Sequence, residues 1–174
     1  MRITGANGAG KSHFAAQLGR VRPEIPVVSF DAMKLQTGWR QRPKAEIDAA
    51  LTRLVRTDAW IIEGGPSLLQ RAVGEADALV WLDPPGYVRA WRLARRPWTF
   101  IGTTRPELPS GNVDWPWQQY VFALRSLRNG SSFRAAILDV YRDSDGLQKW
   151  QCRNADDLRA VIRAWAEAGV KGQD

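Results

Sequence analysis

The sequence predicts an α/β fold in which a parallel β-sheet is covered by helices on both faces. Short apolar segments alternate along the chain with segments of helical periodicity, and this alternation is typical of parallel strands joined by helical crossovers. A glycine-rich loop lies between the first predicted strand and the first predicted helix, a position where such sheets bind phosphate groups. We therefore expect one compact α/β domain over residues 1–174.

Five strands are predicted, over residues 1–4, 27–30, 60–62, 78–82 and 147–152. The residues that directly follow the first four strands are Gly5, Asp31, Glu63 and Asp83. Ligands of parallel sheets lie beyond the carboxyl ends of the strands. We therefore expect these four residues to converge at one edge of the sheet.

Helices are predicted between and after the strands. The predicted ranges are 11–18 with Gly19 as the stop, 44–57 after Pro43, 66–73, a segment with Val88 and Trp91 that stops at Pro97, 115–128 with Asp114 as the cap, 132–142, and a last helix from the cap Asn154 to Gly169. Residues 98–113 are expected to be an irregular loop, because they contain two glycines and two prolines.

The loop Gly5-Ala6-Asn7-Gly8-Ala9-Gly10-Lys11-Ser12 matches the phosphate-binding pattern G-x-x-x-x-G-K-[ST]. Glycines allow the backbone angles that aim successive N–H groups at an anion, and the following helix adds its positive end. The predicted ligand is ATP with Mg²⁺: Lys11 would reach the outer phosphates and Ser12 would coordinate the metal. The predicted nucleotide-binding residues are Gly5, Asn7, Gly8, Ala9, Gly10, Lys11, Ser12 and His13.

Three acidic residues are candidates for the chemistry beside this loop. Glu63 follows an apolar strand and precedes two glycines, so we expect it to face the metal, with a helix-capping or hydrogen-bonding role as the alternative. Asp31 would orient an acceptor hydroxyl, accept its proton or hold a metal-bound water. Asp83 precedes two prolines and is expected to fix a turn.

The net charge of +7 is concentrated in one part of the chain. Residues 89–134 contain eight arginines and two acidic residues, so anionic partners are expected, either nucleotide phosphates or nucleic acid. Four tryptophans lie in or beside this segment, at positions 91, 98, 115 and 117. They would either stack on bases or pack a lid against the core.

In order and spacing, these segments resemble the adenylate-kinase-like P-loop kinases, and within them the bacterial DNA topology modulation proteins. The resemblance rests on the phosphate loop and on residues 31, 37–39, 43, 60–65, 82–85, 92–96, 104–106 and 115–128. It implies a three-layer P-loop nucleoside triphosphate hydrolase fold with a five-stranded parallel sheet. It also implies an acceptor-binding insert at about 31–59 and an arginine-rich lid at about 96–113.

The resemblance also assigns site residues. Arginines that would close on the transferring phosphoryl group are Arg92, Arg96, Arg105, Arg125 and Arg128, beside the catalytic candidates Lys11 and Asp31. The acceptor would bind at Asp31, Trp39, Arg40, Arg42, Gly64 and Gly65. Glu63 stands where the family more often has aspartate.

Three functions are therefore considered: a phosphotransferase acting on a small acceptor such as a nucleotide, a nucleic-acid-binding protein with a regulatory nucleotide site, and a nucleotide switch without transfer chemistry. No apolar run is long enough to span a membrane, and the single cysteine cannot form a disulfide within the chain. A cytoplasmic protein without a membrane span is expected. The oligomeric state is left open.

Overall fold

The protein was analysed as a computed structural model, which describes residues 1–65, 67–68, 73–99, 101–104, 108–113 and 115–170. One parallel sheet contains five strands: Arg2–Gly5 (β1), Val27–Ser29 (β2), Ile61–Gly64 (β3), Ala78–Leu82 (β4) and Gln148–Cys152 (β5). The strand order is β2-β3-β1-β4-β5. The predicted five-stranded parallel α/β class is therefore confirmed.

The central position of β1 places the phosphate-loop candidate in the middle of the sheet edge. Thr4 is in register with Gly64 of β3, and Gly5 is in register with Leu82 of β4. Glu63 and Asp83 therefore reach the same edge as the loop that follows β1. This convergence was expected from the sequence.

Seven α-helices lie within the described residues: Lys11–Val21 (α1), Phe30–Lys34 (α2), Lys44–Val55 (α3), Gly86–Thr99 (α4), Pro116–Arg128 (α5), Gly130–Asp143 (α6) and Ala155–Val170 (α7). Short 3₁₀ turns form at Thr37–Trp39 and Val73–Glu75. None of the described helices is both long and apolar enough to cross a lipid bilayer.

Helices pack against both faces of the sheet. Successive strand residues point to opposite faces, so neighbouring residues of one strand belong to different core clusters. Ile61 joins a core cluster with residues of α1 and α7, such as Leu18 and Val161. The next residue, Ile62, joins a second cluster with residues of α2 and α3, such as Phe30 and Leu51. A third cluster, formed by Leu79, Trp81 and Ile137, packs α6 against β4. The sheet is thus the middle of three layers.

The prediction that Gly19 stops the first helix is wrong, because α1 continues to Val21. A Cβ atom at Gly19 would lie 2.6 Å from the Cγ2 atom of Val27. This glycine therefore permits close packing of α1 on β2. That close approach outweighs the cost of about 1 kcal/mol that glycine carries within a helix.

The prediction that Pro97 ends its helix is also wrong, since α4 runs on to Thr99. Proline lacks the N–H group that would bond to the carbonyl four residues earlier. Its φ angle is nevertheless compatible with a helix, and the ring of Pro97 is buried. The last helix likewise continues past Gly169, to Val170.

Two predicted strand ends are corrected. The strand at 27–30 ends at Ser29, because the Ser29 hydroxyl accepts a hydrogen bond from the Ala32 N–H and caps α2. Asp31 therefore lies in a helix and does not directly follow the strand. Glu63 is the third residue of β3, so it is held by the sheet itself.

Other predicted boundaries agree closely with the structure. Asn154 caps α7 as expected, since its Oδ1 accepts the N–H groups of Asp156 at 2.8 Å and Asp157 at 3.0 Å. The cap position of α5 is taken by Trp115, and the predicted cap Asp114 lies outside the described residues. Most of the helix predicted at 66–73 also lies outside them.

Candidate functional site

The loop between β1 and α1 has the backbone geometry of a phosphate cradle. Gly8 and Gly10 have φ angles of +79° and +96°, in the left-handed region that glycine adopts without strain. The Ala9 N–H donates to the Ala6 carbonyl at 3.1 Å, which closes a tight turn. A Cβ atom at Gly5 would lie 2.6 Å from the Leu82 carbonyl oxygen. Glycine is therefore required where the loop leaves the sheet.

The amino end of α1 is suited to an anion. Its cap residue, Gly10, makes no side-chain cap hydrogen bond, and its first turn contains no acidic residue. The first N–H groups of a helix need acceptors, and the helix dipole favours negative charge there. Phosphate oxygens would supply both the hydrogen-bond acceptors and the negative charge at this position.

Two arginines of α4 hold the loop from outside. Arg89 Nε donates to the Asn7 carbonyl at 3.1 Å, and Arg92 Nη1 donates to the Ala9 carbonyl at 2.8 Å. In a trans peptide the next N–H points opposite to the carbonyl. The N–H groups of Gly8 and Gly10 are therefore directed away from these arginines. With these contacts, Arg92 acts on the loop as a positioning residue.

Arg89 was missed by the sequence-based selection of site residues. Its position three residues before Arg92 on one helix was the available signal, because residues at that spacing share a face. Burial lowers the pKa of the Arg89 guanidinium, and Asp83 opposes this shift. The loop is further held by the Asn7 amide, which donates to the Ser126 hydroxyl at 2.8 Å.

Lys11, Ser12 and Glu63 form the charged centre of the site. The Ser12 hydroxyl donates to Glu63 Oε1 at 3.2 Å, although the two residues are 51 positions apart. Burial raises the pKa of the Glu63 carboxyl, and the charge of Lys11 opposes the rise. Burial lowers the pKa of the Lys11 ammonium, and Glu63 and Asp31 oppose that shift. A cation beside Glu63 and phosphates beside Lys11 would each stabilise the charged forms.

The residues at this centre fit a magnesium ion. Mg²⁺ prefers oxygen ligands and keeps several of its waters, and Ser12 and Glu63 supply a hydroxyl and a carboxylate side by side. Among the residues that the structure describes, no group of three or more His, Cys, Asp or Glu side chains forms a metal cluster. A metal held by few protein ligands and by phosphates matches this donor set.

A cleft of about 550 Å³ opens beside the loop and collects many of the predicted site residues. The predicted residues that line it are Asn7, Gly8, Gly10, Lys11, Ser12, His13, Asp31, Trp39, Glu63, Arg92 and Arg96. The Asp31 carboxylate forms an ion pair with Lys34 at 2.7 Å. Asp31 and Glu63 are 32 positions apart in the chain. Both line the same cleft as the phosphate-loop candidate.

Other predicted residues lie outside the lining of this cleft. Arg40 and Arg42 are exposed, as are Arg125 and Arg128 in the last turn of α5. Gly64 is buried, and a Cβ atom there would lie 2.8 Å from Leu68 Cδ2, so packing explains this glycine.

Two further predicted site positions are Gly65 and Arg105. Gly65 has open space around it, since a Cβ atom there would meet no atom within 4 Å. Arg105 lies outside the described residues, so its predicted role stays a prediction.

The predicted insert and the predicted lid are joined by Asn112. This side chain is fully buried; its oxygen accepts the Trp39 N–H, and its amide donates to the carbonyls of Gln36 and Pro109, each at 3.0 Å. Trp39 has a φ angle of +60°, which is strained for a bulky residue. The indole of Trp39 also donates to the Val113 carbonyl at 3.2 Å. These contacts hold Trp39 in its place at the cleft.

Asp83 is engaged in a separate network at the carboxyl end of β4. It accepts hydrogen bonds from Arg134 Nη2 at 3.0 Å and from Gln151 Nε2 at 2.8 Å. Its own N–H donates to the Cys152 carbonyl at 2.8 Å. Asp83 thereby fixes the turn that leads from β4 to α4, as expected from the sequence.

Comparison with solved structures identifies similar folds at low sequence identity. A gluconokinase from Sinorhizobium meliloti has a TM-score of 0.52 at 17% identity, covering 99% of this chain and 91% of its own. A shikimate kinase from Acinetobacter baumannii, in complex with shikimate, has a TM-score of 0.56 at 14% identity, covering 98% and 92%. The protein TT1252 from Thermus thermophilus has a TM-score of 0.54 at 17% identity, covering 94% and 93%.

No family model and no curated protein matches the sequence. The comparisons therefore leave the closer resemblances to adenylate kinases and to DNA topology modulation proteins as predictions. At these identities a structural likeness identifies the fold and not the reaction. The chain has the α/β fold that is found in gluconokinase and shikimate kinase.

Proposed function

We propose that this protein is a phosphotransferase that moves the γ-phosphoryl group of ATP to a hydroxyl group of a small acceptor. One observation carries the proposal. The phosphate-loop residues Lys11 and Ser12 share a cleft of about 550 Å³ with Glu63, Asp31 and Arg96. Asp31 would supply a carboxylate for the acceptor and Arg96 a positive charge for the transferring group, beside the residues that would bind the phosphates.

In the proposed step, the acceptor oxygen forms a bond to the γ-phosphorus while the bond to the β–γ bridging oxygen breaks. ADP leaves, and the hydroxyl proton passes to the Asp31 carboxylate. The loop amides and Lys11 hold the phosphates, and Arg96 balances charge on the transferring group. Catalysis of this kind depends mainly on positioning and electrostatic stabilisation.

The bound Mg²⁺ would neutralise charge on the β- and γ-phosphates. Ser12 and Glu63 are the residues that would hold it, the hydroxyl directly and the buried carboxylate directly or through water. Arg89 and Arg92 keep the loop in place through hydrogen bonds to its carbonyl groups. Two proteins that share the fold are named as kinases, which supports the proposal by analogy of fold alone.

The test is ADP release from purified protein with ATP and Mg²⁺, measured against a panel of nucleosides, nucleotides, sugars and hydroxy acids. We expect at least one acceptor to raise turnover above the acceptor-free rate. ATP binding without stimulation by any acceptor would support a nucleotide switch and contradict the proposal.

A pair of arginine variants tests the site with the same assay. Arg96→Gln should lower kcat by roughly 100-fold while changing ATP affinity much less, because its contact forms with the transferring group. Arg163→Gln is the control, since Arg163 is exposed on α7 and does not line the cleft. An equal loss in both variants would contradict the assignment of Arg96.

A further inference from the structure

The outer sides of α4 and α5 carry large exposed aromatic rings. Tyr87, Trp91 and Trp98 of α4 are 76%, 64% and 68% exposed, and Trp117 of α5 is 77% exposed. Contiguous exposed apolar groups of this size usually mark a binding surface. We name this region the tryptophan–arginine surface, and define it as Tyr87, Trp91, Arg95, Trp98, Trp117, Tyr120, Arg125 and Arg128.

The alternative that the tryptophans pack a lid against the core does not hold. Trp91, Trp98 and Trp117 each keep most of their surface in water, and Trp115 is 57% exposed. The buried residues of α5 are instead Gln119, Ala123 and Ser126. Trp117 is therefore not among the side chains that pack α5 against the protein, whereas Phe122 of the same helix lines the cleft.

The aromatic residues of α4 lie along one side of the helix. Tyr87, Trp91, Arg95 and Trp98 follow one another at intervals of four, four and three residues, which places them on a common face. An interval of four residues corresponds to a rise of about 6 Å along the axis. The Trp98 indole donates to the Tyr120 hydroxyl at 2.6 Å and joins this face to α5.

The charged side chains of both helices are all positive. Gly86–Thr99 contains four arginines, Pro116–Arg128 contains two, and neither helix contains an acidic residue. The Arg95 guanidinium lies over the Trp91 ring, 5.8 Å from its centroid. Arg95 thus places a positive charge within the row of rings on α4.

We propose that the tryptophan–arginine surface binds single-stranded nucleic acid. Aromatic side chains stack on unpaired bases of any sequence, and neighbouring arginines contact the phosphates. In a duplex the faces of the bases are already stacked on each other, so the exposed rings would find no partner. The surface reaches the cleft, because Trp91 and Arg95 also line it.

Other occupants fit the surface less well. Two copies of the same face would bring the three arginines Arg95, Arg125 and Arg128 against the same three without an acidic partner on either helix, which opposes self-association. A helix that lies on a bilayer separates an apolar face from a charged face. Here Arg95 lies within the aromatic row itself.

Binding is measured by fluorescence anisotropy with a labelled homopolymeric single strand of roughly 15 nucleotides, without ATP, and with a hairpin duplex of the same length as the competitor. We expect saturable binding of the single strand and weak competition by the duplex. The logarithm of the association constant should fall linearly with log salt, by about 0.7 for each phosphate contact. No binding at low salt, or preference for the duplex, overturns the proposal.

Variants on the same face separate stacking from general apolar contact. Tyr87→Ala and Trp117→Ala should each weaken binding by roughly 10-fold. Leu124→Ala is the matched control, because Leu124 is 73% exposed on α5 and has no ring. An equal effect of Leu124→Ala overturns stacking. The thermal midpoint of each variant verifies that it is folded.

The charge contribution is tested in the double variant Arg125→Gln/Arg128→Gln, which should reduce the salt slope by about 1.4. Vesicles with anionic lipids and sedimentation of the protein alone test the other occupants. Vesicle binding without oligonucleotide binding, or self-association that Trp117→Ala abolishes, overturns the proposal. None of these measurements requires phosphoryl transfer, so the proposal stands or falls separately from the proposed function.

Discussion

The edge of the sheet is closely packed, whereas the outer helices α4 and α5 expose large side chains to water. At the sheet edge, space is the constraint: a Cβ atom at Gly5 would lie 2.6 Å from a carbonyl oxygen, and Glu63 is 4% exposed. On the outer helices, Trp117 and Leu124 extend into water, and a change of side chain there meets few neighbours. The first region is the proposed polyphosphate site, whereas the second is the proposed surface for a larger partner.

This difference indicates where substitutions will be costly. Buried charges at the sheet edge depend on each other, since burial opposes the charged forms of both Lys11 and Glu63 and the charge of each opposes the pKa shift of the other. Exposed arginines and rings on the outer helices have water as an alternative partner. We therefore expect large effects on function or stability at the first region, and effects mainly on binding at the second.

The largest effect is expected for Lys11→Ala. Removal of the ammonium that is proposed to contact the phosphates should lower turnover by roughly 100- to 1,000-fold, because no other described lysine lines the cleft. Steady-state ADP release with a responding acceptor measures the loss. Arg163→Ala, on the exposed side of α7, should keep the wild-type rate. Near-wild-type turnover in Lys11→Ala would remove the distinction between the two regions.

Gly5→Ala tests the steric constraint directly. The new methyl group would meet the backbone of β4, which cannot move without breaking the sheet, so we expect a loss of about 2–3 kcal/mol in the free energy of unfolding. Gly65→Ala is the matched control, because a Cβ atom there meets nothing within 4 Å. Urea titrations of both variants provide the comparison. Equal stability of the two would contradict the steric argument.

Asn112→Ala tests the hydrogen bonds that join Trp39, at the cleft, to the segment that follows α4. The change removes the acceptor of the Trp39 N–H and the donor to two carbonyls. We expect a cost of about 1–2 kcal/mol in unfolding free energy and a larger relative rise in KM for the acceptor than fall in kcat. Asn129→Ala serves as control, since Asn129 is exposed between two helices. Unchanged KM would show that Asn112 is structural only.

The smallest effect concerns the pH dependence of stability. Burial raises the pKa of Glu63 above 4.5, so the folded protein binds more protons than the unfolded chain between pH 4.5 and the raised value. The contribution of Glu63 to the free energy of unfolding therefore falls as pH rises through that window. Glu63→Gln should make the slope of stability against pH less negative there, as measured by urea unfolding.

Glu24 provides a control of opposite sign. The hydrogen bond from Arg22 lowers the pKa of Glu24 below 4.5, so its contribution is present above that pH and is lost as pH falls through the lowered value. Glu24→Gln should therefore change the slope only below pH 4.5. Identical slopes for wild type and Glu63→Gln above pH 4.5 would contradict the burial argument.

Sequence patterns predicted the features that depend on short stretches of chain. The five strands were predicted within two residues at each end, and Asn154 was identified as a helix cap, because capping involves only the next three residues. The phosphate loop was identified for the same reason: its glycines and its helix start are contiguous. The prediction that helices end at Pro97 and Gly19 was wrong, because the effect of these residues on a helix depends on the groups that pack against them.

The sequence alone thus determined the α/β class, the loop and the edge of the sheet where acidic residues meet. Only the tertiary structure decided which arginine reaches which carbonyl, that Asn112 joins two distant segments, and that the tryptophans face water. The physical reason is the distance along the sequence between the residues that interact. Strands, caps and loops follow from neighbouring residues, whereas Arg92 and Ala9 are 83 positions apart and meet only because β1 and β4 are adjacent in the sheet.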